Sequence, residues 1–198
     1  MSILLVVSVT GCATLFGWSI HAPGILSEKF YQEVQPIPQR IALYVNRDLL
    51  NYESKDRGGK TADPQTYFIG EAFGPMLVEA FQRGFEEFIF LEAEPTSEIL
   101  QQSGIPYLAV VQIKNFSNHV TWKGQTLQLV TQTVVLDSHL SEVDQFESTG
   151  ISDARKVFAK KGGPEVNLNA ALENNARAVV QYVQDSILTG KWKGGAAT

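Results

Sequence analysis

The chain has 198 residues, of which 44% are hydrophobic, and its formal net charge is −5. This is the length of one domain, since a typical domain holds about 100 to 200 residues, and the apolar content is that of a globular fold. Lysine and arginine are scattered along the sequence, which excludes the basic face of a nucleic-acid-binding protein. We therefore expect one globular domain with no nucleic-acid partner.

The chain begins with a short apolar segment. Residues 3–9 read Ile-Leu-Leu-Val-Val-Ser-Val, which is too short to cross a bilayer but is typical of the hydrophobic region of a secretory signal. This run continues into Val-Thr-Gly-Cys at residues 9–12, which resembles the lipobox of bacterial lipoproteins: an aliphatic residue, two small residues and a cysteine. The resemblance implies that residues 1–11 are a signal peptide and that Cys12 carries the lipid, including fatty acyl chains such as palmitate.

Two further observations concern this lipid site. Cys12 is the only cysteine, so no disulfide can form within the chain, and acylation would explain an unpaired cysteine in an exported protein. Residues 1–11 carry no charged side chain, a departure from the basic start of a signal peptide. The alternative is a cytosolic protein with an apolar first strand and a buried free cysteine. Ala13 stands where an aspartate would retain enteric lipoproteins in the inner membrane, so the resemblance implies the periplasmic face of the outer membrane.

Residues 12–38 are predicted to be a lipidated tether that becomes a strap. Pro23, Gly24 and Pro36 interrupt regular structure, yet the segment is too apolar for a solvated linker. It packs either on its own domain or on another subunit. We favour the second interpretation because Pro23 and Gly24 divide the apolar residues into two clusters. The candidate partner-binding residues of this segment are Phe16, Trp18, Phe30 and Tyr31.

Residues 39–190 are predicted to form a single periplasmic domain, which begins with a strand and a helix. Residues 41–45 predict a short buried strand, and residues 46–66 a mobile loop. From Ile69 to Phe88, apolar residues recur mostly at intervals of three and four, the spacing of one helix face. A second strand is expected at residues 88–91. Residues 97–103 predict a short helix that Gly104 ends.

A long hairpin follows, from Tyr107 to Trp122 and from Gln125 to Leu140, with a tight turn between the strands. This turn would place His119 opposite Gln128. The strands exceed the usual length of about 3 to 10 residues, so we expect the hairpin to project beyond the sheet. Trp122 at its tip is a candidate anchor for a partner or a lipid surface, and partial burial against the sheet is the alternative.

The remaining elements are a strand near residues 145–152 and a final helix, for which Asn167 is the predicted N-cap and Gly190 the end. Residues 191–198 are predicted to be a disordered tail. The element order predicts an α+β fold: a mostly antiparallel sheet with a long hairpin and two main helices on one face.

This order, together with the stretch QQSGIPYLAVVQI at residues 101–113, resembles small envelope lipoproteins. Examples are the curli-secretion, lipopolysaccharide-assembly and Pel polysaccharide export lipoproteins. The resemblance implies a structural or assembly subunit of an envelope complex for secretion, polysaccharide export or lipid transport. Its expected partners are the membrane, through the lipid on Cys12, and other envelope proteins or copies of itself.

The sequence predicts no catalytic residue, cofactor or metal ligand. The three histidines are His21, His119 and His139, and none has another within a few residues, as a helical metal pair requires. Gly59-Lys-Thr lacks the earlier glycine of a phosphate-binding loop, because that position is Ser54. We therefore expect no enzymatic activity. A module that binds a lipid or small ligand between helices and sheet is the main alternative, and a hydrolase built from scattered residues is a third possibility.

Overall fold

A computed structural model describes residues 17–56, 64–122, 124–153 and 163–192. The elements in chain order are β1 (Trp18–Ile20), α1 (Glu28–Glu33), β2 (Ile37–Tyr44), α2 (Arg47–Leu50), β3 (Glu53–Asp56), β4 (Gln65–Phe68), α3 (Ile69–Gly84), β5 (Phe85–Leu91), α4 (Ser97–Gln102), β6 (Tyr107–Thr121), β7 (Gly124–Asp137), β8 (Glu142–Ile151) and α5 (Pro164–Leu188). In the part of the chain that the structure describes, no helix has the length and apolar character needed to cross a membrane.

Two sheets organise the fold. The larger has the strand order β5-β2-β6-β7-β8, and the smaller has the order β1-β4-β3. The long hairpin β6–β7 and the following strand β8 are antiparallel. In contrast, β2 is parallel to both of its neighbours, β5 and β6. The predicted α+β class is thus confirmed, and both sheets are mixed.

The alternating side chains of β2 show how the larger sheet divides the core. Ile41 and Leu43 are buried in the main cluster beneath α3 and α5. Ala42 points to the opposite face, where it joins a smaller cluster with Leu100 of α4. This is the period-two alternation of a strand covered on both faces. Burial of each large apolar side chain contributes about 1.5 to 3 kcal/mol, so the main cluster provides most of the stability.

Residues 46–66, predicted as a loop, contain α2, β3 and the start of β4. The short helix α2 is capped by Asn46, whose Oδ1 accepts a hydrogen bond from the Leu49 N–H at 2.9 Å. It packs against α3 at two glycines. A Cβ atom on Gly70 would lie 2.2 Å from the Leu49 carbonyl oxygen, and one on Gly74 would lie 2.5 Å from the Leu50 side chain. Gly70 therefore requires glycine, because the clash would be with backbone atoms, whereas at Gly74 the partly exposed Leu50 side chain would have to shift.

The two ends of α5 also differ from prediction. The helix begins at Pro164, with Gly163 as the N-cap, because proline suits the first turn of a helix. Asn167 lies inside the helix, where its Nδ2 donates to the carbonyl oxygen of Gln125 at 3.1 Å. After the helix, Trp192 is buried, so the predicted tail is anchored through its first two residues. Residues 193–198 lie outside the described part of the chain.

Candidate interaction surface at the hairpin end

The outer half of the hairpin is attached to the smaller sheet. A bulge between Ile113 and Asn115 shifts the register of β6 against β7, and bulges bend and twist the strand that carries them. Beyond the bulge, Nδ2 of Asn118 donates to Oδ2 of Asp56 at 2.8 Å and to Oε1 of Gln65 at 3.4 Å. The hairpin is therefore supported as far as Asn118 rather than projecting along its whole outer half.

A buried polar network fixes this attachment. Nε2 of Gln125 donates to the Tyr67 hydroxyl at 2.8 Å and to Oδ1 of Asn118 at 3.0 Å. The Tyr67 hydroxyl in turn donates to Oε1 of Gln65 at 2.5 Å. Burial, with the nearby charge of Asp56, raises the pKa of Tyr67 well above its usual range. The hydroxyl thus remains a neutral donor at physiological pH, which keeps the network intact.

The tip of the hairpin, beyond this network, is exposed. Val120 is 61% exposed and Trp122 is 90% exposed. Large apolar side chains at such exposure are informative when they cluster, because grouped exposed apolar residues mark sites of protein or membrane interaction. The alternative prediction for Trp122, partial burial against the sheet, is therefore wrong.

The N-terminal side of the described chain lies at this same end. Trp18 in β1 is the strand partner of Gln65 in β4, and its backbone N–H donates to the Pro64 carbonyl oxygen at 2.8 Å. Since Gln65 also contacts Asn118 of the hairpin, Trp18 lies on the side of the hairpin tip. Its side chain is 43% exposed. Two of the predicted partner-binding residues, Trp18 and Trp122, thus lie towards the same end of the molecule.

Phe30 and Tyr31 lie elsewhere. Phe30 is fully buried, with the Arg177 guanidinium 5.8 Å from its ring centre, so it is a core residue and not part of an interaction surface. Tyr31 is 36% exposed, and its hydroxyl donates to Glu79. That hydrogen bond and burial raise the pKa of Tyr31. Two other predicted residues, Cys12 and Phe16, lie outside the described residues, so lipidation of Cys12 stays a prediction.

The segment that contains Phe30 packs on its own domain. Leu26, Phe30 and Val34 are buried in the main core. The Glu173 carboxylate accepts hydrogen bonds from the Ser27 N–H at 3.0 Å and from the Ser27 hydroxyl at 2.6 Å. Residues 20–34 therefore form a strap on their own domain, and the interpretation in which Phe30 reaches another subunit is corrected. Trp18 precedes the strap and stays on the surface.

The histidines are not gathered into a site. The His21 ring stacks on Phe68 at 4.3 Å, and its Nδ1 lies 2.9 Å from the Glu71 carboxylate. His119 is opposite Thr126 rather than Gln128. Nδ1 of His139, beyond β7, is 3.2 Å from Nε2 of Gln101. Across the described ranges, no group of three or more His, Cys, Asp or Glu side chains is placed to hold a metal ion.

Sequence reasoning missed Val120 and the polar network behind it. The sequence did contain an indication of the network. Gln125, Leu127 and Leu129 are every second residue along β7, and both leucines are buried, so the Gln125 side chain lies on the same inward face of the strand. A buried amide needs hydrogen-bond partners. This requirement predicts a polar network at Gln125, although the sequence does not show that Tyr67 and Asn118 complete it.

No protein-family model matches the chain, and no curated protein matches it. Solved structures with a similar arrangement include the hypothetical protein CT253 from Chlamydia trachomatis, at 7% identity and a TM-score of 0.44 over 76% of this chain and 96% of that chain. The PelC dodecamer from Paraburkholderia phytofirmans is 7% identical, with a TM-score of 0.39 over 80% and 93% of the two chains. Lipoprotein GNA1162 from Neisseria meningitidis is 7% identical, with a TM-score of 0.35 over 76% and 99%. At these identities and TM-scores, the similarities assign neither a family nor a function to this chain.

Proposed function

We propose that this protein is a lipid-anchored, non-catalytic structural or assembly subunit of a bacterial envelope complex, held by lipid on Cys12 at the periplasmic face of the outer membrane. The observation that carries the proposal is the arrangement of the N-terminal side of the chain. Five residue steps separate the lipobox cysteine from Gly17, where the described structure begins. An extended chain of that length reaches at most about 18 Å. The folded body would therefore stay close to the membrane rather than move on a long tether.

The strap supports this role because it would join the lipid anchor to the folded domain without a flexible linker. Ile20, Leu26, Phe30 and Val34 of the strap are buried in the main core, so a force on the lipid would be transmitted to the whole domain. The filled interior also favours assembly over ligand binding. Between the helices and the sheet, Phe81, Leu172 and Val179 are fully buried and occupy the space that a lipid-binding module would leave open. The complex could serve secretion, polysaccharide export or lipid transport.

The anchor is tested by mass spectrometry of the protein from membranes of its native host. We expect a mature chain that begins at Cys12 and carries a diacylglyceryl group and an amide-linked acyl chain. Cys12→Ser should leave an uncleaved, lipid-free precursor. Detection of an unmodified Cys12 in mature protein from these membranes would refute the anchor.

The assembly role is tested on the same membranes after extraction with a mild non-ionic detergent. Native gel electrophoresis should show the chain in a species larger than a lipidated monomer, and affinity purification should identify the other members. Cys12→Ser serves as the control, because loss of the anchor should deplete the complex while the domain stays folded. A strictly monomeric wild-type protein at native expression would contradict an assembly subunit.

A further inference from the structure

The hairpin end has an unusual distribution of charge. The chain contains 37 charged residues, 16 basic and 21 acidic. Residues 1–27 contain none of them, and residues 115–136 contain only Lys123. The pairing of Trp18 with Gln65, and the hydrogen bond from Asn118 to Gln65, bring Trp18 of the first stretch and the outer part of the hairpin in the second to one end of the molecule. This end therefore has few charges to dehydrate when it approaches an apolar phase.

Among the described residues, the acidic groups near this end include Asp56 and Asp153. Asp153 is exposed and follows Ser152, whose backbone N–H donates to the Leu127 carbonyl oxygen of the hairpin. Asp56 of β3 accepts a hydrogen bond from Asn118 at 2.8 Å. On the outer face of the hairpin, Ser117 is opposite Gln128 and His119 is opposite Thr126. These side chains offer hydrogen-bond donors and acceptors without a carboxylate. Such groups suit the headgroup layer of a bilayer, where polar partners and water remain available.

The exposed side chains at the tip are of the type that membrane interfaces select. Tryptophan is enriched at the boundary between headgroups and acyl chains, because its ring is apolar and its N–H is polar. Trp122 is 90% exposed and Val120 beside it is 61% exposed. The partly exposed Trp18 lies on the side from which the chain runs to Cys12.

The length of chain before Gly17 identifies the occupant of this surface. From Cys12 to Gly17 the chain reaches at most about 18 Å, and Gly17 precedes Trp18 at the hairpin end. A lipid on Cys12 would therefore hold this end, rather than the helix face, near the bilayer. We infer that the hairpin end docks on the lipid surface, with Trp122 at the interface between headgroups and acyl chains. This inference rests on the proposed lipidation of Cys12, and it leaves the other surfaces for protein partners.

The three tryptophans provide the experiment. Trp18 and Trp122 lie at the proposed membrane surface, whereas Trp192 is 5% exposed and packed on Tyr107. The lipidated full chain is reconstituted in vesicles of phosphatidylethanolamine and phosphatidylglycerol, some of which carry bromine on the upper acyl chain. In the W18F/W192F variant the only fluorophore is Trp122, and we expect the brominated lipid to quench it. In the W18F/W122F variant only Trp192 remains, and it is the matched control that should not be quenched.

A second variant separates docking from lipidation. In a chain that begins at residue 12 with Cys12→Ser, and therefore carries neither the signal segment nor lipid, Trp122→Ser should weaken binding to the same vesicles by about tenfold, as expected for loss of one large apolar group. Its melting temperature should stay unchanged, because the side chain is almost fully exposed. Mass spectrometry of each reconstituted sample reports the lipid. If the protein is lipidated but Trp122 is not quenched, or is quenched no more than Trp192, the inference is overturned and the lipid anchor still stands. If the native protein carries no lipid, the anchor itself is refuted.

Discussion

The indole N–H of Trp192 donates a hydrogen bond to Oδ2 of Asp144 at 2.9 Å, which joins the residues that follow α5 to strand β8. The Tyr107 hydroxyl donates to the Trp192 carbonyl oxygen at 2.8 Å. Nζ of Lys191 is 2.7 Å from the same Asp144 oxygen. These contacts form a C-terminal lock, which we define as Asp144, Lys191 and Trp192 with Tyr107.

The electrostatic part of this lock predicts a dependence of stability on pH. Partial burial pushes the pKa of Asp144 upward, but hydrogen bonds from Lys191, Trp192 and Tyr182 hold it below its usual range. A carboxylate with a lowered folded pKa stabilises the fold above its unfolded pKa of about 3.9, and this contribution is lost as the pH falls through the folded pKa. We expect Asp144→Asn to lower the free energy of unfolding at neutral pH. Urea titrations should show the difference from wild type shrinking as the pH falls below about 3.9. A difference that is constant with pH would contradict the prediction.

The apolar part of the lock is tested by Trp192→Ala. Its ring lies 5.2 Å from the ring of Tyr107 and is 5% exposed. Truncation of a buried tryptophan typically costs about 3 to 5 kcal/mol, which equilibrium denaturation measures directly. Trp122→Ala is the matched control, since the same substitution at an exposed position should change the stability by no more than about 0.5 kcal/mol. Equal effects of the two substitutions would show that residue 192 is not anchored.

The approach of α2 to α3 predicts that Gly70→Ala is strongly destabilising. The added Cβ would lie 2.2 Å from the Leu49 carbonyl oxygen and 2.4 Å from that of Leu50, so α2 would have to move. Overpacking of this kind costs about 1 to 3 kcal/mol. Gln82→Ala, at an exposed position of the same helix, should be close to neutral. Thermal denaturation that gives Gly70→Ala wild-type stability would contradict the observed contact.

The strap predicts a protected N-terminal segment in the isolated monomer. Hydrogen exchange should be slow at Val34, whose N–H donates to the Phe30 carbonyl oxygen at 2.9 Å. Glu173→Gln should accelerate exchange across residues 25–34, because a charge-assisted pair to Ser27 would be replaced by weaker neutral bonds. The control is Glu165→Gln, which alters an exposed carboxylate on the same helix. Fast exchange at Val34 in the wild-type monomer would show that the strap does not hold.

Long apolar patterns predicted the main elements because their signal is local. The residues of β2, of α3 and of the β6–β7 hairpin repeat at the period of their own structure. In contrast, the parallel position of β2 between β5 and β6 depends on contacts between distant segments. Strands β3 and β4 have four residues each, too few for a periodic pattern to emerge.

The candidate site shows the same division. Exposed aromatic residues could be named from sequence, and Trp18 and Trp122 are on the surface. Phe30 could not be separated from them, because its burial depends on α5 more than 100 residues later in the chain. The position of Trp18 near the hairpin could not be predicted either, because it depends on the pairing of β1 with β4. The partner of His119 is Thr126 and not the predicted Gln128, because the hairpin turns between Thr121 and Gly124, one residue earlier than the predicted turn between Trp122 and Gln125.

The hydrogen bonds between Ser27 and Glu173 join residues that are 146 positions apart. Under the proposed export from the N-terminus, the strap would not close until nearly the whole polypeptide had crossed the membrane. The same holds for the central strand β2, whose partner β6 lies more than 60 residues downstream. Loop closure over such distances slows folding. The segment that emerges first is thus among the last to become ordered, and the proposed acylation of Cys12 would take place while the chain around it is still accessible to the modifying enzymes.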